Sequence, residues 1–125
     1  VCRTADILSL HIPLTVETAN LIDASVFIEM KQGSVLVNTS RGGVIDQGAL
    51  IDALKLGPLS AAGLDVYAEE PIPLDDPILK LKNVMLTPHV AWLTRETLNR
   101  SIALAVENCM RLRDKQDLLY QVFNN

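Results

Sequence analysis

Four short runs of apolar residues mark the chain, and each stops at a polar turn. Ile7-Leu8-Ser9-Leu10 runs into His11 and Pro13. Ser34-Val35-Leu36-Val37-Asn38 stops at Thr39-Ser40-Arg41-Gly42-Gly43. Residues 59–66 form a third run closing around Asp65, and Val84-Met85-Leu86 a fourth, closed by Thr87-Pro88-His89. Short apolar runs bounded by glycine, proline and Asn/Asp predict strands. Their near-continuous apolar character predicts a parallel sheet covered by helices.

The segments between them carry helix signals. Thr15 predicts the cap of a short helix holding Thr18, Ala19, Leu21 and Ile22. Asp23 opens a second, with Val26, Phe27 and Met30, which Gln32-Gly33 breaks. Asp46 predicts the N-cap of a third, with Leu50, Ile51, Ala53 and Leu54 on one stripe and Gly57-Pro58 at its end. An acidic, proline-containing loop covers residues 68–76. From about Thr94 to about Asp114 the spacing of Leu98, Ile102, Ala105, Cys109 and Leu112 predicts a long helix, with Cys109 read as core. The tail from 118 to 125 keeps Leu118, Leu119, Val122 and Phe123 apolar without an evident partner. Strands alternating with helices place the chain in the α/β class, with helices on both faces of a parallel sheet.

Composition narrows the function classes. Apolar residues make up 49% and charged residues 21%, the balance of a globular chain of one domain's length. Eleven basic against 15 acidic residues give a net charge of -4, which disfavours a nucleic-acid partner. No run approaches the ~20 apolar residues of a membrane span. Cys2 and Cys109 form neither a disulfide framework nor a metal spacing, so a reducing, cytoplasmic setting is expected. The opening residues show no leader pattern, and the chain begins at Val1 instead of methionine; a processed or trimmed piece of a longer protein is expected. There is no G-x-S-x-G and no H-E-x-x-H. Gly43 and Gly48 lack the lysine a P-loop requires, and no G-x-G-x-x-G occurs.

The informative pattern is positional. His11, Arg41, Asp65 and His89 each sit at or just past the C-terminal end of a predicted strand. In a parallel sheet those ends share one edge, where ligands bind. Taken singly, each also has a plain structural role. Arg41 reads as a solvated loop cation, Asp65 as a turn cap, and Glu70 as one member of an exposed acidic loop. His89 reads as a hydrogen-bonded structural histidine.

In order along the chain, four segments carry a resemblance: Ser9-Leu10-His11-Ile12-Pro13-Leu14-Thr15; Val37-Asn38-Thr39-Ser40-Arg41-Gly42-Gly43-Val44-Ile45-Asp46; Ala62-Gly63-Leu64-Asp65-Val66-Tyr67-Ala68-Glu69-Glu70-Pro71; and Leu86-Thr87-Pro88-His89-Val90-Ala91-Trp92. Together they resemble the D-isomer-specific 2-hydroxyacid dehydrogenases, with the His-x-Ala-Trp run similar to the glycerate/hydroxypyruvate reductase branch. The resemblance implies part of a Rossmann-like parallel sheet with flanking helices and a long C-terminal helix. It implies NAD or NADP as cofactor and a small 2-oxo or 2-hydroxy acid as substrate. The family's catalytic arginine, glutamate and histidine map onto Arg41, Glu70 and His89. Asp65 matches the residue that contacts the nicotinamide carboxamide, and His11, Pro13, Thr39 and Ala91 match other cofactor-side positions.

These residue types suit the chemistry. A guanidinium can hold a carboxylate with two parallel donors, which lysine cannot. Imidazole can donate the proton that a developing alkoxide needs, and a neighbouring carboxylate would stabilise imidazolium and fix which nitrogen faces substrate. The family's glycine-rich phosphate loop and substrate domain are not found in the sequence. The resemblance therefore implies that residues 1–113 are the C-terminal portion of a nucleotide-binding domain, with 114–125 returning toward a substrate domain. It also implies a homodimer of the full-length protein and little activity in the isolated chain. A dehydrogenase-like corepressor, or NAD-sensing binding protein, is the alternative from another function class.

Overall fold

The four apolar runs become four parallel strands: β1 (Ile7–Leu10), β2 (Ser34–Asn38), β3 (Leu59–Leu64) and β4 (Val84–Leu86). They lie in the order β1-β2-β3-β4. The computed structural model describes residues 1–121, and the chain divides into two units, residues 1–91 and the segment from Trp92 onward. Three α-helices are present among the described residues: α1 (Ala24–Ile28), α2 (Gln47–Lys55) and α3 (Arg95–Arg113).

Helix starts follow the capping logic of the sequence. Asp23 Oδ1 accepts the N–H groups of Ser25 at 2.9 Å and Val26 at 3.1 Å, and Asp46 Oδ1 accepts that of Ala49 at 3.0 Å. Each satisfies donors that the first helical turn leaves without intrahelical partners. Helix α2 packs on both α1 and β3. Leu36 of β2 and Leu50 of α2 are buried in the resulting core with Phe27, Val44, Leu64 and Ile78.

Register aligns the strand ends. Leu10 pairs with Asn38, Asn38 with Leu64, and Leu64 with Leu86. The next residue on each strand is His11, Thr39, Asp65 or Thr87, so all four leave the sheet along one edge. Strand β3 stops at Leu64, short of the expected 66, which puts Asp65 at the start of the loop.

Two further expectations fail. No helix forms at residues 15–22. Thr18 Oγ1 instead donates to Pro13 O at 2.7 Å, and Asn20 takes a left-handed φ of 51°. Asn20 and Ile22 donate backbone N–H groups to Gly43 O and Val44 O, making an Ile22–Ile45 bridge. Threonine hydroxyls that bond nearby backbone compete with helix, and here a distant segment takes the amides as well. The second failure is Cys109, which is exposed. Helix α3 forms as expected, with Thr94 Oγ1 accepting Thr97 N–H at 3.1 Å, but none of its residues is buried. Spacing identifies an apolar face and does not say that anything covers it.

Within the second unit, Leu119 is tied to α3: its N–H donates to Asn108 Oδ1 at 2.8 Å and its carbonyl accepts from Asn108 Nδ2 at 3.2 Å. Val122 and Phe123 lie outside the described residues.

Candidate active site

The turn that presents Arg41 is folded by Asn38, the last residue of β2. Asn38 is completely buried. Its Oδ1 accepts the Ser40 N–H at 3.0 Å and the Ser40 hydroxyl at 2.8 Å, while its Nδ2 donates to Arg41 O at 2.9 Å. An asparagine side chain that mimics a turn in this way ends the strand and leaves the Thr39 and Arg41 side chains exposed. Arg41 Nη1 donates to Ser40 O at 2.6 Å.

Gly42 lets this turn press against the loop after β3. A Cβ there would lie 1.8 Å from Tyr67 O. Backbone cannot yield as a flexible side chain can. Gly42→Ala should therefore cost about 1–3 kcal/mol, the range for overpacking, and lower the melting temperature in a thermal unfolding measurement.

The loop after β3 delivers Glu70 to His89. Glu70 Oε2 lies 2.7 Å from His89 Nδ1, and its Oε1 accepts the Tyr67 N–H at 3.0 Å. Both carboxylate oxygens are thus oriented. The His89 bond, then the Tyr67 N–H, hold the Glu70 carboxyl below its ordinary value against the opposing effect of burial; the charges of His89 and Arg41 add to this. The Tyr67 hydroxyl donates to Thr87 O at 2.7 Å, and burial, followed by the Asp65 charge, pushes that phenol up. Glu70 and His89 border an apolar cavity of about 330 Å³ whose walls include Pro71, Ile72, Leu86 and Pro88.

Asp65 is 3% exposed and accepts three donors. They are Thr87 Oγ1 at 2.5 Å and Val90 N–H at 2.9 Å on Oδ1, and Ala91 N–H at 2.8 Å on Oδ2. Burial pushes this carboxyl up, but the three donors and the His89 charge outweigh it and leave it below its ordinary value.

The sequence-selected residues therefore fall into two groups along the edge. His11, Pro13, Thr39 and Arg41 line an open depression of about 480 Å³ at the ends of β1 and β2. Glu70 and His89 stand beyond β3 and β4. Asp65 follows the strand between β2 and β4, and it takes the Ala91 N–H for itself. His11 Nε2 lies 2.8 Å from Ser9 Oγ. Asn38, Tyr67 and Thr87 were not selected. Asn38 carried a usable signal, an amide closing an apolar strand before a turn. Thr87 carried none until register placed it beside Asp65.

Comparison with known proteins places the chain in a family. Residues 1–91 match the family described as D-isomer specific 2-hydroxyacid dehydrogenase, NAD binding domain. The chain is 50% identical over 109 residues to glyoxylate reductase of Korarchaeum cryptofilum, covering 87% of this chain and 33% of that protein. It is 45% identical over 106 residues to glyoxylate/hydroxypyruvate reductase B of Citrobacter koseri, covering 85% and 33%. The crystal structure of D-lactate dehydrogenase with NAD+ from Lactobacillus jensenii superposes with a TM-score of 0.89 at 32% identity, covering 98% of this chain and 41% of that one. The chain spans about a third of the length of these two curated relatives. The parallel sheet, its flanking helices and these matches together show that the chain belongs to the D-isomer-specific 2-hydroxyacid dehydrogenases, with residues 1–91 falling in the family's NAD-binding domain.

Proposed function

We propose that this chain serves an enzyme that transfers a hydride between NAD or NADP and a small 2-oxo or 2-hydroxy acid. In this reading residues 1–113 are the C-terminal portion of the nucleotide-binding domain, and 114–125 return toward a substrate domain. The observation that carries it is the 2.7 Å pairing of Glu70 Oε2 with His89 Nδ1 at the C-terminal edge of a parallel sheet. The relatives named glyoxylate reductase and glyoxylate/hydroxypyruvate reductase support a small 2-oxo acid as substrate.

The nicotinamide end of the cofactor fits this edge. Asp65 Oδ2 accepts one in-chain donor and keeps capacity for a carboxamide N–H. His11, Pro13 and Thr39 would flank the cofactor at the open depression. When bound, the cofactor supplies or accepts the hydride.

The remaining work belongs to side chains. Arg41 grips the substrate carboxylate with parallel N–H donors. As C2 gains its hydrogen, the carbonyl π pair moves onto oxygen, and protonated His89 gives that oxygen its Nε2 proton. The reverse reaction returns the proton to Nε2. Glu70 accepts the Nδ1–H, so Nε2 is the nitrogen that exchanges protons. The setting proposed is a cytoplasmic homodimer of the longer protein.

The test is steady-state reduction of glyoxylate and hydroxypyruvate by the longer protein, followed by NADH loss. Turnover is expected there, and little from the 125-residue chain alone. Peptide binding without turnover would favour the corepressor or NAD-sensing alternative.

The pair also predicts a pH effect on stability. Because the Glu70 carboxyl is held below its ordinary 4.5, its contribution is fully present above 4.5 and is lost as pH falls through its folded-state value. Both side chains are more than a third exposed, at 39% and 36%, so screening keeps the effect small. Melting curves of wild type and Glu70→Gln should differ near neutrality and converge below pH 4.5.

A further inference from the structure

We propose that Thr87 and Asp65 form a latch that holds the turn carrying His89, making both positioning residues for the imidazole. The inference rests on the reading of His89 as the proton donor and adds the means by which it is held.

Among the described residues, Asp65 is the one charged side chain that is buried. A carboxylate at the end of an apolar strand is costly unless its acceptors are filled. All three in-chain donors to it come from one short segment, and they bracket His89: Thr87 Oγ1 before it, the Val90 and Ala91 amides after it. His89 itself has φ 55°, the left-handed region that a side chain with a Cβ disfavours. Such a conformation persists when its surroundings over-determine it. Here the two amides that follow His89 end on a single carboxylate, and the His89 N–H bonds back to Thr87 O at 3.0 Å.

The same frame fixes the histidine's partner. Tyr67 donates its hydroxyl to Thr87 O and its N–H to Glu70 Oε1. The loop bearing Glu70 and the turn bearing His89 are thereby referred to common backbone. Releasing the latch lets the turn relax and separates Nδ1 from Glu70. Thr87 acts through His89, so its loss should appear chiefly in the proton-transfer step and less in cofactor binding.

The test uses Thr87→Val, which keeps shape and removes the hydroxyl, beside Thr87→Ser, which restores it. In NMR spectra of the 125-residue chain, Thr87→Val should shift the Val90 and Ala91 amides and the His89 ring signals, and Thr87→Ser should return them to wild-type positions. In the longer enzyme, Thr87→Val should lower kcat by about tenfold with a smaller change in KM for the cofactor, since small misplacements of reacting groups have effects of this order or larger. In the wild type, the Val90 and Ala91 amides should titrate together with the Asp65 carboxyl; this readout needs no variant to fold. Spectra of Thr87→Val that superimpose on wild type, equal losses in the valine and serine variants, or amides indifferent to Asp65 titration would each overturn the latch. If the longer protein reduces no 2-oxo acid, the proposed reaction fails while the NMR results still decide the latch.

Discussion

His89→Asn in the longer enzyme should lower turnover of a 2-oxo acid by about 10²–10⁴-fold, the usual worth of positioned proton transfer. Asparagine is the informative replacement because it tolerates the left-handed backbone that His89 occupies at φ 55°. The turn can then survive while the acid is lost. The Glu70 carboxylate also loses its partner at 2.7 Å, but Glu70 is partly exposed and water can replace the bond. Cofactor affinity, read by fluorescence titration with NADH, should stay within about twofold of wild type, because the removed interaction acts in the transition state. A matching fall in both quantities would make His89 a structural residue and remove the proton donor from the mechanism.

The sequence showed where the edge lies more readily than how it is held. Strand identity was legible because Val35, Leu36 and Val37, or Val84 and Leu86, form apolar runs too short for a helix and bounded by turn residues, and Asn38 and Asp65 mark where such a run stops. Asp23 and Asp46 announced their helices through local bonds to residues two and three positions on. What failed was decided at a distance. The segment after Thr15 had a helix's residues, but its Asn20 and Ile22 amides were claimed by Gly43 and Val44. Cys109 lay on an apolar stripe that the structure leaves exposed. Asp65 was conspicuous as a charge at the end of an apolar strand, yet its three donors lie 22 to 26 residues away and became visible only with the β3–β4 register. The resemblance maps the family's glutamate onto Glu70, and the Glu70 carboxylate lies beside His89.

Arg41 gives the other large effect, and its chemistry differs. Its side chain is exposed and, among the described residues, is hydrogen-bonded to Ser40 O, with the turn itself held by Asn38 through backbone and Ser40. Replacing it should leave the fold and melting temperature nearly unchanged. The loss should appear in substrate capture. A hydrogen bond to a charged group is worth about 1.5–3 kcal/mol, so Arg41→Gln, which removes the charge and the parallel pair of donors, should lower kcat/KM by about 10²–10⁴-fold. Arg41→Lys keeps the charge and loses the fork, and should fall between, at about 10–100-fold. The order of the two variants is the decisive measurement. Lysine supporting wild-type kcat/KM would show that a point charge suffices. A solvated loop cation steering an anion toward the edge would then explain Arg41 better than a bidentate clamp. With wild type ahead of lysine and lysine ahead of glutamine, the missing interaction is the planar pair of donors that a 2-oxo acid's carboxylate matches.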